Sequence, residues 1–120
     1  MAKFEIDGKE YDLKLTFESV NYLNGTLKGG SYELIGKALA GDFETFPQIV
    51  YAGLLHTGEK FTLKKVKDEI ANKFANEELT LDYIQTTSNE VVSECFFYAP
   101  TVKKMLDKNP EMKKALEQIM

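Results

Sequence analysis

The sequence predicts an α+β fold in which an N-terminal β-hairpin packs on a mostly α-helical domain of about five to six helices. Three observations predict it. Apolar residues alternate with charged ones on both sides of an Asp7-Gly8 pair. From Thr16 onward apolar residues recur at helical spacing, in segments punctuated by Thr, Gly and Pro. The chain has 120 residues, 43% of them hydrophobic, which suits a single domain with its own core, residues 1–120.

The hairpin is expected over about 3–16. Phe4 and Ile6 alternate with Lys3, Glu5 and Asp7, and Tyr11, Leu13 and Leu15 alternate with Glu10, Asp12 and Lys14. Asp-Gly between alternating strands favours a type I′ turn, which needs φ > 0 at both central residues. A two-residue loop pairs Ile6 with Lys9 and Phe4 with Tyr11, so Phe4, Ile6, Tyr11 and Leu13 share one face. A four-residue loop would keep the same parity. A hairpin alone is marginal, so that face must be covered by the helices that follow.

Helices are expected over about 17–119. Thr16 caps a short first helix carrying Phe17, Val20 and Leu23, stopped by Asn24-Gly25. After a Gly29-Gly30 loop, Ser31 caps a second with Leu34, Ile35, Ala38 and Leu39, closed by Gly41. Asp42 or Thr45 caps a third, with Pro47 in its first turn. Its run Ile49–Leu55 is apolar nearly all round, the mark of a central buried helix, and Gly58 ends it. Thr62 opens a fourth with Leu63, Val66, Ile70 and Phe74 on one stripe. Thr80 opens a fifth with Leu81, Ile84, Val91, Val92, Cys95 and Phe96. The polar run Gln85 to Asn89 predicts a kink in it, and Pro100 its end. The last segment, 101–120, is interrupted at Asn109-Pro110 and reads as a peripheral extension suited to binding a partner.

Composition narrows the function. The net charge is −4 and all 15 basic residues are Lys. Without the bidentate guanidinium of Arg, an acidic chain is a poor nucleic-acid binder. Lys64, Lys65 and Lys67 stand beside Asp68 and Glu69, as on a solvated helix face. No apolar run approaches the roughly 20 residues that span a bilayer, and the N-terminus lacks a signal-like apolar core. The expected compartment is the cytoplasm, with no membrane partner. His56 and Cys95 are the only residues of their kinds. That precludes a cysteine-rich metal site or an intramolecular disulfide and leaves few ways to assemble a catalytic site. No phosphate-loop or EF-hand spacing is present. The expectation is therefore a protein without catalytic residues, metal or cofactor, with His56 at a helix end and Cys95 in the core.

Two features read as binding surface. Phe96, Phe97 and Tyr98 are consecutive, and one helix face cannot bury all three. The C-terminal segment carries Met105, Leu106, Met112 and Leu116, and methionine adapts to varied partner shapes. These seven residues form the predicted partner-binding set; the same surface would serve self-association.

The stretch KFEIDGKEYDLKLTFESVNYLN, Lys3–Asn24, resembles the opening of tail assembly chaperones from long-tailed, siphovirus-type phages and prophages of low-GC Gram-positive bacteria. The stretch LAGDFETFPQIVYAGLLHTGEKFTLKKV, Leu39–Val66, resembles their middle, where an AGD turn leads to a helix, a YAGL stretch and an FTL helix start. The polar run Gln85 to Asn89 departs from the charge-rich helix of the family. The resemblance implies a non-catalytic protein that binds the tape measure protein and tail tube subunits during assembly and is absent from the finished virion. It also implies a longer frameshifted form, for which A-rich codons at Lys103-Lys104 or Lys113-Lys114 are candidate slip sites. The alternatives are another small phage structural or head–tail completion protein, and a small bacterial enzyme or regulator.

Overall fold

The computed structural model describes residues 1–111, 113 and 114. Strands β1 (Lys3–Ile6) and β2 (Lys9–Asp12) form the antiparallel hairpin, in the expected register of Phe4 with Tyr11 and Ile6 with Lys9. Asp7 and Gly8 have φ of 51° and 83°, the two positive values a type I′ turn requires. Past β2 the Leu13 N–H donates to the Ala2 carbonyl at 2.9 Å, and the Lys14 N–H to the Gly53 carbonyl at 3.0 Å. The second bond brings backbone against helix. A Cβ at Gly53 would lie 3.1 Å from that of Leu13, so glycine permits this approach.

Among the described residues six helices have defined bounds: α1 (Phe17–Thr26), α2 (Gly30–Ala40), α3 (Phe46–Leu54), α4 (Leu63–Ala75), α5 (Leu81–Glu94) and α6 (Ala99–Asp107), with a 3-10 turn at Leu55–Thr57. Helix α3 is the axis of the fold. It packs on β2, α1, α4 and α5, and Phe46, Ile49, Val50 and Ala52 are fully buried. The hairpin face closes over it, with Phe4 edge-on to Phe46 at 6.5 Å between ring centroids. Tyr11 stacks edge-on against Phe61 at 5.1 Å. The hydroxyls of Thr16, Thr62 and Thr80 cap α1, α4 and α5 by accepting from backbone N–H groups three residues on. Helix α3 has no side-chain cap, contrary to the expectation for Asp42 or Thr45: the Asp42 carboxylate instead holds the preceding turn, accepting the N–H of Thr45 at 2.9 Å and its hydroxyl at 2.6 Å.

Four further local expectations are corrected. Asn24-Gly25 does not stop α1, which continues to Thr26, where the Thr26 hydroxyl donates to the Tyr22 carbonyl. An isolated helical glycine costs only about 1 kcal/mol, less than the burial of Leu23 contributes. Ser31 does not cap α2: the helix already begins at Gly30, and the Ser31 hydroxyl donates to the Asn24 side chain at 3.2 Å. The polar run does not interrupt α5, which is continuous from Leu81 to Glu94. Gln85 donates to the Leu39 carbonyl at 2.9 Å, and Asn89 to the Ala38 carbonyl at 3.2 Å. Both carbonyls belong to the last turn of α2, whose acceptors have no partner within their own helix. Finally, Pro100 does not end α5, which stops at Glu94; it sits in the first turn of α6, where its missing N–H costs nothing.

Candidate functional site

The turn between α5 and α6 carries Cys95, Phe96, Phe97 and Tyr98. The Tyr98 N–H donates to the Cys95 carbonyl at 3.0 Å, tightening the chain so that neighbouring side chains diverge. Tyr98 points inward and is 1% exposed; Cys95 is buried beside it; Phe96 and Phe97 point out, at 87% and 53% exposure. Of the three aromatics, Tyr98 therefore belongs to the core and offers no surface. Its hydroxyl has no hydrogen-bond partner among the described residues. Burial pushes its pKa up to about 12, and the nearby Ser31 hydroxyl, outside hydrogen-bonding geometry, offsets this only in part.

Phe17 joins this surface from the other end of the chain. Its position on an apolar helical stripe predicts burial, yet it is 87% exposed. Ser19 takes the inward place instead: it is fully buried and donates its hydroxyl to the Ala52 carbonyl at 2.7 Å. Packing α1 on α3 through this bond turns Phe17 outward. Phe17, Phe96 and Phe97 border a groove of about 270 Å³ whose walls include Leu15, Val20 and Cys95, with Asn21 and Asn24 along one side. Five of the seven residues predicted to bind a partner fall on described positions. Phe96 and Phe97 line the groove, Tyr98 is buried, and Met105 and Leu106 are half-buried against the core on α6. Met112 and Leu116 lie outside the described residues.

A second aromatic surface lies between α4 and the start of α3. Phe43 and Phe74 are 52% and 63% exposed and meet edge-on at 6.3 Å. With Pro47, Ile70 and Ala71 they line a shallow depression of about 830 Å³, walled by Glu44 and Lys67. Spacing alone places Phe74 on the buried stripe of α4; in the fold that stripe ends at Ile70 and the last turn projects into solvent.

His56 and the lysine cluster occupy structural places. His56 lies in the 3-10 turn after α3, with Nε2 2.8 Å from the Asp12 carbonyl oxygen, tying this turn to the outer edge of β2. Lys64 pairs with Asp68 at 3.0 Å and Lys65 with Glu69 at 3.3 Å, both one helical turn apart. Lys65 also reaches Asp7 of the hairpin turn at 3.1 Å; that hydrogen bond, then the one to Glu69, raises its pKa. Among the described residues no group of three or more His, Cys, Asp or Glu side chains is placed to hold a metal ion. No described helix is long and apolar enough to cross a membrane.

The two depressions offer apolar and aromatic contact. No curated protein and no solved structure matches the chain. A family model does, over residues 3–107, from the first residue of β1 to the last of α6, so it takes in the hairpin, the α3 axis and both aromatic surfaces. Its description is phage tail assembly chaperone protein, TAC, and the chain belongs to that family.

Proposed function

We propose that this protein acts in the cytoplasm of the bacterial host as a non-catalytic chaperone of tail assembly. In this reading it binds the tape measure protein, keeps that protein's apolar helical stretches soluble, and brings tail tube subunits to it. It works as one folding unit and does not remain in the mature virion. The resemblance at Lys3–Asn24 and Leu39–Val66 points to long-tailed phages or prophages of low-GC Gram-positive bacteria as its source.

One observation carries the reading: a chaperone-family chain leaves Phe17, Phe96 and Phe97 exposed around an apolar groove. Contiguous apolar surface of this kind marks interaction sites, and an amphipathic client helix is the partner that fits a groove of apolar walls and aromatic rims. The client surface is therefore assigned to Phe17, Phe96 and Phe97; Met105 and Leu106, half-buried against the core on α6, do not line the groove. Co-expression with a tape measure fragment tests this. Phe17→Ser with Phe96→Ser should leave the fragment insoluble while the chaperone itself melts as before. Full solubilisation by that variant would refute the surface, and loss on Phe43→Ser with Phe74→Ser instead would move it to the α3–α4 depression.

A further inference from the structure

Helix α4 carries four lysines, and three of them are engaged within the molecule. Lys64 pairs with Asp68, Lys65 with Asp7 and Glu69, and Lys73 with Glu5 of β1 at 4.0 Å. Lys67 is exposed and has no ion-pair partner among the described residues. Lys67, Ile70, Ala71 and Phe74 stand at i, i+3, i+4 and i+7, on one face of the helix. That face is one wall of the α3–α4 depression, and Phe43, Glu44 and Pro47 form the wall opposite. Glu44 is also exposed and also without an ion-pair partner among the described residues. The two free charges stand at different ends. Phe43 meets Phe74, so Glu44 lies at the Phe74 end, while Lys67 lies two turns, about 10 Å, back along α4.

An apolar floor with an acid on one side and a base on the other is complementary to itself. A twofold axis in the contact plane, midway between the two charges, sets the acid of each copy over the base of the other. The same rotation carries the Phe43–Phe74 pair of each copy across the Ile70–Ala71 floor of its partner. We propose that a second copy of this chain docks face to face on the α3–α4 depression, through two reciprocal Glu44–Lys67 pairs and the burial of Phe43 and Phe74 from both copies. Exposed aromatic area is then covered by an equivalent surface. A face of eight residues is small beside the roughly 20–30 a side of a standard interface, so the dimer is weak and its population follows protein concentration. The depression shares no residue with the Phe17–Phe96–Phe97 groove, so each dimer presents two such grooves. The dimer does not rest on the client reading of that groove.

Sedimentation of the full chain from about 1 μM to about 1 mM tests this. The expected result is a monomer that becomes a dimer as concentration rises. Glu44→Lys alone and Lys67→Glu alone each set like charges opposite one another twice, and each should weaken the dimer about tenfold. Combining the two restores opposite charges across the twofold and should restore the parent's association. Neither residue has an ion pair within the described chain, so melting curves should not move. Phe43→Ser with Phe74→Ser should leave a monomer at every concentration. A parent that stays monomeric throughout overturns the proposal. So do single charge variants that associate like the parent, or a combined variant no better than either one. A dimer lost on Phe17→Ser with Phe96→Ser instead overturns it by placing the contact in the other groove. Tape measure capture is scored separately: a monomeric parent whose capture is lost on Phe43→Ser with Phe74→Ser would give the depression to the client. A dimer with the expected charge behaviour that captures no fragment would refute the client reading alone.

Discussion

Seven of the eight phenylalanines of this protein fall into two groups with opposite environments; Phe61, half-buried against Tyr11, lies between them. Phe4 and Phe46 are sealed between the hairpin and α3, at 1% exposure or less, and meet edge-on. Phe17, Phe43, Phe74, Phe96 and Phe97 all stand more than half exposed, and they gather at two places. The same side chain thus serves cohesion in one region and contact in the other. The exposed group is not a failure of packing, since a continuous core already runs from Ala2 to Val102 without it. Leaving so much aromatic area in water costs solubility, and contiguous apolar surface of this kind marks an interaction site.

Substitutions should separate the two groups sharply. Phe46→Ala removes a fully buried ring from the centre of the fold and should lower stability by about 3–5 kcal/mol. Phe96→Ala at the rim should change stability by no more than about 0.5 kcal/mol while weakening client solubilisation. Urea unfolding of both variants, beside a co-expression assay, checks the pair. Similar stability losses for the two would erase the distinction.

The polar seam between α2 and α5 sharpens the comparison, because it belongs to the sealed region although its residues are hydrophilic. Asn89 is buried and donates to the Ala38 and Gln85 carbonyls. Asn89→Ala should cost about 1–3 kcal/mol by stranding buried acceptors. The Gly41 N–H also reaches the Ala38 carbonyl, at 3.2 Å, which favours the lower half of that range. A neutral effect in thermal unfolding would show that the seam is not what fixes α5 on α2.

What was legible in the sequence follows from the range of the forces involved. The hairpin register, the three threonine caps and the burial of α3 are set by neighbours within a few residues: a turn dipeptide, a hydroxyl before an apolar stripe, an apolar run. Features decided by a distant partner were not legible. Gln85 to Asn89 look like a weak helix until the open end of α2 is placed against them. Pro100 reads as the end of a helix, but the same missing N–H suits the first turn of the next one, where the fold puts it. Phe17 and Phe74 lie on apolar stripes, but a stripe reports hydrophobicity and not whether a neighbour exists to cover it. Of the candidate site, Phe96 and Phe97 were legible as part of an aromatic run too crowded for one face. Phe17 was not, because its proximity to them arises only when Ser19 seats α1 on α3.

The hairpin turn gives a smaller, purely local effect. Gly8→Val forces a β-branched residue to φ of 83°, and the position is otherwise open, with nothing within 4 Å of an added Cβ. Strain alone then sets the cost, roughly 1 kcal/mol or more, read as a lowered melting temperature. An unchanged melting temperature would mean the hairpin relaxes without loss, and that its turn does not help seal Phe4.

Tyr98 tests the boundary between the two regions, since it is the buried member of a run whose other two aromatics are exposed. Its ring packs edge-on to Phe97 at 5.4 Å, while its hydroxyl is buried without a partner among the described residues. Tyr98→Phe keeps the ring and removes only the unpaired hydroxyl, so at pH 7 it should be neutral or slightly stabilising, by up to about 1 kcal/mol. Alkaline pH should separate the two proteins further. Burial raises the Tyr98 pKa from 10.0 to about 12, so between those values the unfolded chain has lost a proton that the folded chain still holds. Stability from this group is complete below pH 10 and falls as pH rises toward 12. The variant should therefore lose less stability than the parent over that window. It should not lose the slope entirely, because burial also raises the pKa of Tyr22 and Tyr83. Unfolding midpoints at pH 7 and pH 11 provide the measurement. A variant clearly weaker at pH 7 would mean that the hydroxyl has a partner after all and that Tyr98 is anchored by more than its ring.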